Sequence, residues 1–229
     1  MLKPLALMTV PFLLASCGGS LSTLLPEGPV ARDIAWLWWT LLAGSAVLTA
    51  LVLVLLAMSF GPPRDVPARR WTHGLGLGLS MAVLSVTLAG GLWVGERILP
   101  RDDGAIEVQA HAWQWGWEFT QPGPDGPVVT QDVLFIPAGQ PVDVLITSED
   151  VIHSFWVPQL AGKTDAIPGR TNRLRLQADR PGVLGGLCAE FCGIGHAAMR
   201  FEVQVVAAED WPAALTEHAE AQEDEGEDD

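Results

Sequence analysis

Cys188-Ala-Glu-Phe-Cys192-Gly-Ile-Gly-His196-Ala-Ala-Met199 is the stretch around which the rest of the chain is arranged. Within twelve residues it sets out two thiols, an imidazole and a thioether, with Gly193 and Gly195 to let the loop turn. Thiolates and thioethers are soft donors, so they suit copper before zinc, and zinc before magnesium or calcium. One Cys with one or two His and a Met would make a mononuclear blue-copper site. A second Cys four residues from the first changes that arithmetic. Two thiolates can each bridge two copper ions, and each copper then needs a terminal imidazole. The loop supplies only His196, so a second must come from elsewhere, and His153 in Asp150-Val-Ile-His-Ser-Phe-Trp-Val-Pro158 is the candidate. Met199 suits a weak axial ligand to one copper, and a backbone carbonyl between the cysteines suits the other.

Three plainer readings stand beside this one. Cys188 and Cys192 can form a structural disulfide, which an exported protein permits, although that leaves His196 and Met199 without a role. A Cys2His2 zinc site matches the ligand count, but the spacing is not that of a finger and Met199 again has nothing to do. Met199 alone can be a core gap-filler.

Outward from the loop, the composition is segregated along the chain. Mean hydropathy is +0.28 although the net charge is -14. From Arg101 onward there are 23 acidic residues against 7 basic ones, a balance that repels nucleic-acid phosphates and attracts a basic protein partner. The early residues are apolar. Residues 1–16, with Lys3 before a short run from Leu5 to Leu14, read as a signal peptide too short to span a bilayer. Leu14-Ala-Ser-Cys17-Gly resembles a bacterial lipobox, in which the Cys is lipidated and begins the mature chain; ordinary cleavage, with Cys17 incidental, is the alternative. Residues 17–33 then form an external N-terminal segment.

Two charge-free runs, Ile34 to Pro63 and Gly74 to Gly95, are each long enough to cross a membrane, which takes about 20 helical residues. Trp36, Trp38, Trp39 and Trp93 lie where interfacial rings are favoured. Between the runs Arg64, Arg69 and Arg70 face only Asp65, which places this loop in the cytoplasm and both chain ends outside. Residues 34–100 are therefore a transmembrane helical hairpin.

From Ala105 the texture becomes alternating. Ile106–Ala110, Val128–Phe135, Val142–Thr147, Thr171–Gln177 and Arg200–Val206 read as strands separated by breaks such as Pro122-Gly-Pro-Asp-Gly-Pro127. That spacing argues a sandwich or barrel over residues 101–207. Residues 208–229 end in Glu223-Asp-Glu-Gly-Glu-Asp-Asp229, a like-charge run that reads as a disordered tail. No Cys-x-x-Cys-His pattern marks a fused haem module.

The loop Cys-x-Glu-x-Cys-Gly-x-x-His-x-x-Met resembles the dinuclear copper (CuA) loop of subunit 2 of cytochrome c oxidase. The His153 segment and Lys163-Thr-Asp-Ala-Ile-Pro-Gly-Arg170 match that family in the same order, and the likeness runs over roughly residues 30 to 207. It implies a two-helix transmembrane hairpin followed by an all-β cupredoxin-like Greek-key barrel. It further implies that Cys188 and Cys192 bridge two coppers, that His153 and His196 are terminal, that Met199 is axial and that the Glu190 carbonyl is the remaining ligand.

By the same resemblance the Glu190 carboxylate ligates magnesium or manganese at the junction with the haem-bearing subunit 1, with Asp165 in support. Trp113, in His111-Ala-Trp-Gln-Trp-Gly-Trp-Glu-Phe119, receives electrons from cytochrome c. The segment lacks the family's tyrosines, and the chain has ten tryptophans and no tyrosine. The family's carboxylate near the start of the second span has no counterpart in Pro67-Ala-Arg-Arg-Trp-Thr-His73, so no proton-uptake residue is assigned. The implied function is that of an electron-transfer subunit in a bacterial plasma-membrane cytochrome-c oxidase. Subunits 1 and 3, cytochrome c and membrane lipid are its partners, and oxygen is reduced elsewhere in the complex. A membrane-anchored periplasmic copper-delivery protein is the alternative.

Overall fold

A computed structural model describes residues 18–62, 65, 67–101 and 103–227, with the last five as backbone only; the leader expected at 1–16 and Cys17 lie outside the described residues. Asp33–Ile98 forms one compact unit, and the remainder of the described chain forms a second.

Two helices make up the first unit. Helix α1 (Pro29–Ser59) enters it, and a π-helical stretch (Arg70–Leu79) leads directly into helix α2 (Ser80–Ile98). Both are long and apolar enough to cross a membrane, at 31 and 29 residues, and the apolar windows are not buried inside the protein. Val47, Val52, Leu84, Val86 and Leu92 point outward, as suits side chains whose solvent is hydrocarbon. Helix α1 starts five residues before its charge-free run, and the π-helical stretch that leads into α2 starts four residues before the second. Pro29 is tolerated at a first helical position because the amide it lacks would be unpaired there anyway. Charge marks the edge of the apolar span, and the helix is free to continue past it.

Near the ends that adjoin the second unit in sequence, the two helices are clamped together. Arg97 Nε donates to Asp33 Oδ2 at 2.9 Å, and its guanidinium lies 4.9 Å over the Trp93 ring. Trp93 in turn meets Trp36 edge-on at 6.1 Å.

Ten strands build the second unit: β1 (Ile106–Trp113), β2 (Gly116–Gly123), β3 (Gly126–Gln131), β4 (Val133–Pro137), β5 (Val142–Ser148), β6 (His153–Trp156), β7 (Thr164–Ala166), β8 (Asn172–Leu176), β9 (Gly182–Cys188) and β10 (Arg200–Val206). They form two five-stranded sheets, ordered β3-β2-β1-β5-β8 and β4-β10-β9-β6-β7. β1 runs parallel to β5, and β10 parallel to β4, while the other pairs are antiparallel. Such mixed sheets, crossing from one layer to the other, give the cupredoxin-like sandwich. Trp117, Phe119, Phe155 and Phe201 fill its centre as one aromatic cluster with ring separations of 4.8 to 6.4 Å.

The run Val128–Phe135, expected as one strand, is two. Asp132 sits between them with φ of 54°, a left-handed conformation that Asp tolerates better than most residues. Its Oδ1 accepts the Trp117 amide at 2.8 Å. The chain turns there from the first sheet to the second. β2, β6, β7 and β9 carry too little alternation to stand out in the sequence. In β9 glycines replace the expected apolar residues for a steric reason: a Cβ at Gly186 would lie 2.2 Å from the Phe201 ring.

Residues 18–32 belong to the sandwich. Glu27 N donates to the Gln159 carbonyl, Ala31 N to the Leu160 carbonyl, and Asp179 N to the Glu27 carbonyl. Glu27 also pairs with Arg180, and Arg32 with Asp179. The sequence at Gly28 follows from this packing, since a Cβ there would collide with the Gln177 carbonyl oxygen at 2.0 Å. Asp143, fully buried on β5, is held by Arg173 and Arg175 of the adjacent β8. Burial alone would raise its carboxyl, but the two guanidinium groups outweigh that and hold it below the usual range.

The expectation of a disordered tail is corrected by helix α3 (Trp211–Glu227). Like charges dominate only its second half. Its first half buries Trp211 and Leu215 against Phe135, and Trp211 Nε1 donates to the Phe135 carbonyl at 3.1 Å. Further on, Gln222 makes both an accepting and a donating bond with the Gln131 backbone on the sheet edge. Replacing the fully buried Leu215 with Ala should cost about 2–5 kcal/mol in urea unfolding, whereas a solvated tail residue would cost less than about 0.5 kcal/mol.

Candidate metal centre

Three of the donors stand at the ends of strands in the second sheet. His153 opens β6, Cys188 closes β9, and Met199 immediately precedes β10. β9 lies between the other two strands, with Cys188 opposite Phe155 of β6 and Leu187 opposite Arg200 of β10. The Cys188 amide donates to the Met199 carbonyl at 3.0 Å, which closes the neck of the loop. Inside the loop, Gly193 takes φ of 119°, where a side chain would be strained. A single 3-10 turn, His196–Ala198, then brings His196 back towards Cys192.

The ligand atoms form a connected series. His153 Nδ1 is 3.8 Å from Cys188 Sγ, which is 3.8 Å from Cys192 Sγ, which is 3.7 Å from His196 Nδ1. Met199 Sδ lies 3.8 Å from Cys192 Sγ, and the Glu190 carbonyl accepts from Cys188 Sγ at 3.3 Å. Metal bonds of about 2.0–2.3 Å, as zinc makes to imidazole and thiolate, place two ligands of one ion at separations of this size. His153, Cys188 and Cys192 have ligand atoms all within 4.8 Å of one another. A disulfide does not fit, because the sulfurs are far beyond bonding distance and both thiols are free. Nor is Met199 merely filler, since its sulfur faces the Cys192 sulfur.

Burial keeps most of the site dry. His153, Cys188, Cys192 and Met199 are all at most 4% exposed. Burial, together with the neighbouring Cys188, pushes the Cys192 thiol up to about 11. The metal-free thiol is therefore protonated at neutral pH, and metal uptake must release its proton.

The outer contacts fix the ligands further. His153 presents Nδ1 to the cysteines, and its Nε2 is 2.9 Å from Asp150 Oδ1. Burial would raise the Asp150 carboxyl, but bonds from His153 and from the Val151 and Gln114 amides hold it below the ordinary range. A carboxylate on the far nitrogen of a metal-binding imidazole sets its tautomer and orientation. Asp150 was legible as Asp-x-x-His before a ligand, a signal that reading for ligands alone passes over.

Trp113 is not the ring on the loop. It folds over Gly116 at the close of the β1–β2 hairpin, where a Cβ would lie 2.7 Å from its Cζ2. The ring on the loop is that of Trp115. It covers Gly195, its Nε1 donates to the Cys192 carbonyl at 3.3 Å, and 43% of the residue remains exposed. A single residue of the hairpin, Gln114, separates these tryptophans. Glu190 turns its carboxylate away from the sulfurs to Lys163 Nζ at 3.1 Å, which Asp165 Oδ1 shares at the same distance.

A family model described as cytochrome c oxidase subunit II, periplasmic domain, matches residues 121–206. Cytochrome c oxidase subunit 2 of Alkalihalophilus pseudofirmus is 31% identical over 92% of this chain and 66% of its own length. The alternative cytochrome c oxidase subunit 2 of Bradyrhizobium diazoefficiens is 34% identical over 63% of this chain and 61% of its own length.

The chain belongs to the cytochrome c oxidase subunit 2 family.

It spans 61–66% of the length of those two relatives. Among solved structures, the periplasmic domain of subunit II from Bradyrhizobium japonicum is similar, with 28% identity, a TM-score of 0.48, and coverage of 55% of this chain and 99% of that one. As a subunit 2 with a copper-binding donor set, the chain holds its candidate metal ligands in the sandwich. Replacing Asp150 with Ala should weaken copper affinity about 10–100-fold in chelator competition, and an unchanged affinity would remove it from the site's support.

Proposed function

We propose that this chain is the electron-accepting subunit of a haem–copper oxidase. It takes electrons from cytochrome c at a dinuclear copper centre and passes them to haem in subunit 1, where oxygen is reduced to water with proton translocation. The observation that carries this reading is the connected run His153–Cys188–Cys192–His196, in which each thiol has its own imidazole. A single tetrahedral ion would leave Met199 without a place, whereas a copper pair would use every donor, held by Cys188, Cys192, His153 and His196 with Met199 and the Glu190 carbonyl completing the set. When bound, such a pair supplies a one-electron site whose change of charge is spread over many bonds, so that little has to move.

The protein's part is to hold the donors in place beforehand and to keep water out. Burial of the donors also argues against a copper-delivery role, which needs an exposed and labile site. Trp115 takes the electron-receiving role that the resemblance gives to Trp113, because its indole covers the copper loop, bonds to the Cys192 carbonyl and is the more exposed of the two. The acidic balance of the copper domain suits a basic donor such as cytochrome c.

In the membrane, the Arg-bearing loop between the helices faces the cytoplasm and the copper domain faces the periplasm. Subunits 1 and 3 flank the helices. A magnesium or manganese ion at Glu190 requires the Lys163 ammonium to swing aside and further oxygen ligands from subunit 1. A signal peptide over 1–16 with lipidated Cys17 completes the topology; mass spectrometry of the mature N-terminus should find Cys17 acylated, and an unmodified Cys17 would end that part.

Replacing Cys192 with Ser should abolish the mixed-valence copper EPR signal, and a retained signal would exclude a bridging role. Trp115→Phe should slow oxidation of cytochrome c about tenfold, equivalent to about 1.4 kcal/mol of barrier, with the copper spectrum intact. Trp113→Phe should change that rate by less than about twofold. The opposite ranking would return the role to Trp113.

A further inference from the structure

The β1–β2 hairpin touches both ligand-bearing segments, and one of its residues, Gln114, bonds to each. The Gln114 amide donates to Asp150 Oδ2 at 2.8 Å, and the other oxygen of that carboxylate meets His153 Nε2 at 2.9 Å. The Gln114 side chain points the other way, and its Nε2 donates to the Cys192 carbonyl at 2.7 Å. That same carbonyl oxygen accepts the longer bond from Trp115 Nε1, at 3.3 Å. Gly193 leaves the space for this, since a Cβ there would come within 3.1 Å of Gln114 Nε2.

Two donors thus converge on one oxygen, and the distances rank them. At 2.7 Å the amide makes a short, well-formed bond, whereas 3.3 Å lies beyond the usual range for an N–H donor. The indole of Trp115 is therefore only weakly anchored by its own nitrogen. Its place over Gly195 depends on the neighbouring residue that pins the hairpin to the loop. The backbone bond to Asp150 survives almost any side chain at position 114, so only the Cys192 contact depends on the residue being glutamine. Glutamate, its isostere, would turn an acceptor towards an acceptor.

We infer that Gln114 is a positioning residue for electron transfer, acting through Trp115: its side-chain amide holds the hairpin on the Cys192 carbonyl and so fixes the indole against the copper loop. This rests on the reading of Trp115 given above. It assigns Gln114 no ligand role, because the contact is to a main-chain carbonyl and leaves the Cys192 sulfur free.

The test uses the assembled, copper-loaded oxidase carrying Gln114→Met or Gln114→Glu. Both variants should keep two coppers per chain and the wild-type mixed-valence spectrum, and both should be reduced normally by a small soluble reductant. Oxidation of cytochrome c should nevertheless slow about fivefold, and the double variant Gln114→Met/Trp115→Phe should be no slower than Trp115→Phe alone. In the copper-free protein, hydrogen exchange at the 193–196 amides should rise in Gln114→Met. A wild-type rate in both single variants, or effects that multiply in the double variant, would overturn the inference. So would an altered copper spectrum, which would mean that Gln114 acts on the metal ligands instead. A wild-type chain that takes up no copper pair would overturn the underlying reading, and that result is visible before any variant is made.

Discussion

Two thiols held side by side in a buried site are the constraint on which the rest of this structure depends. Burial and the neighbouring Cys188 both oppose ionisation of Cys192. Only a fold that fixes the two thiols in advance can offer them together to a soft metal. Here the fixing comes from the sheet. Cys188 ends a strand flanked by the strand that begins at His153 and the one that follows Met199, so three donors are set by strand pairing. Cys192 and His196 are added by a loop whose two ends are tied by the bond from the Cys188 amide to the Met199 carbonyl.

The second layer of the sandwich supports that arrangement. Phe155 and Phe201, on the strands that carry His153 and follow Met199, pack at 4.8 Å and close the aromatic core beneath the site. Trp117 meets the His153 ring at 6.4 Å from the opposite sheet. Asp132 is what allows the two sheets to share one stretch of chain, because its left-handed turn carries β3 into β4. The segment before α1 is bonded along the Gln159–Leu160 turn that follows the His153 strand. The N-terminal segment as far as Arg32 is therefore part of the domain's structure.

Much of this was readable residue by residue. The two apolar runs gave the hairpin, because a stretch without charge has few other stable settings. Alternation gave β1, β5, β8 and β10, whose faces look onto a core on one side and polar surroundings on the other. It did not give β9, where Gly185 and Gly186 make room for Leu21 and the Phe201 ring. It also misjudged the tail: acidic composition describes the outer face of α3 well, but it hides the contacts that Trp211 and Leu215 make on the other face.

The donor chemistry was settled by the sequence alone, since Cys188, Cys192, His196 and Met199 lie on one short loop and His153 is marked by its own segment. Which tryptophan faces that loop was decided only by the folded chain. Trp113 and Trp115 flank Gln114 on a tight hairpin, and a shift of two positions in the turn would put one in the place of the other. The same holds for Gln114, whose side chain meets Cys192 78 residues away and whose amide meets Asp150 36 residues away. Ligand type is a property of the residue and survives in a string of letters. Orientation depends on register and on backbone contacts between distant strands, which exist only once the sheets have closed.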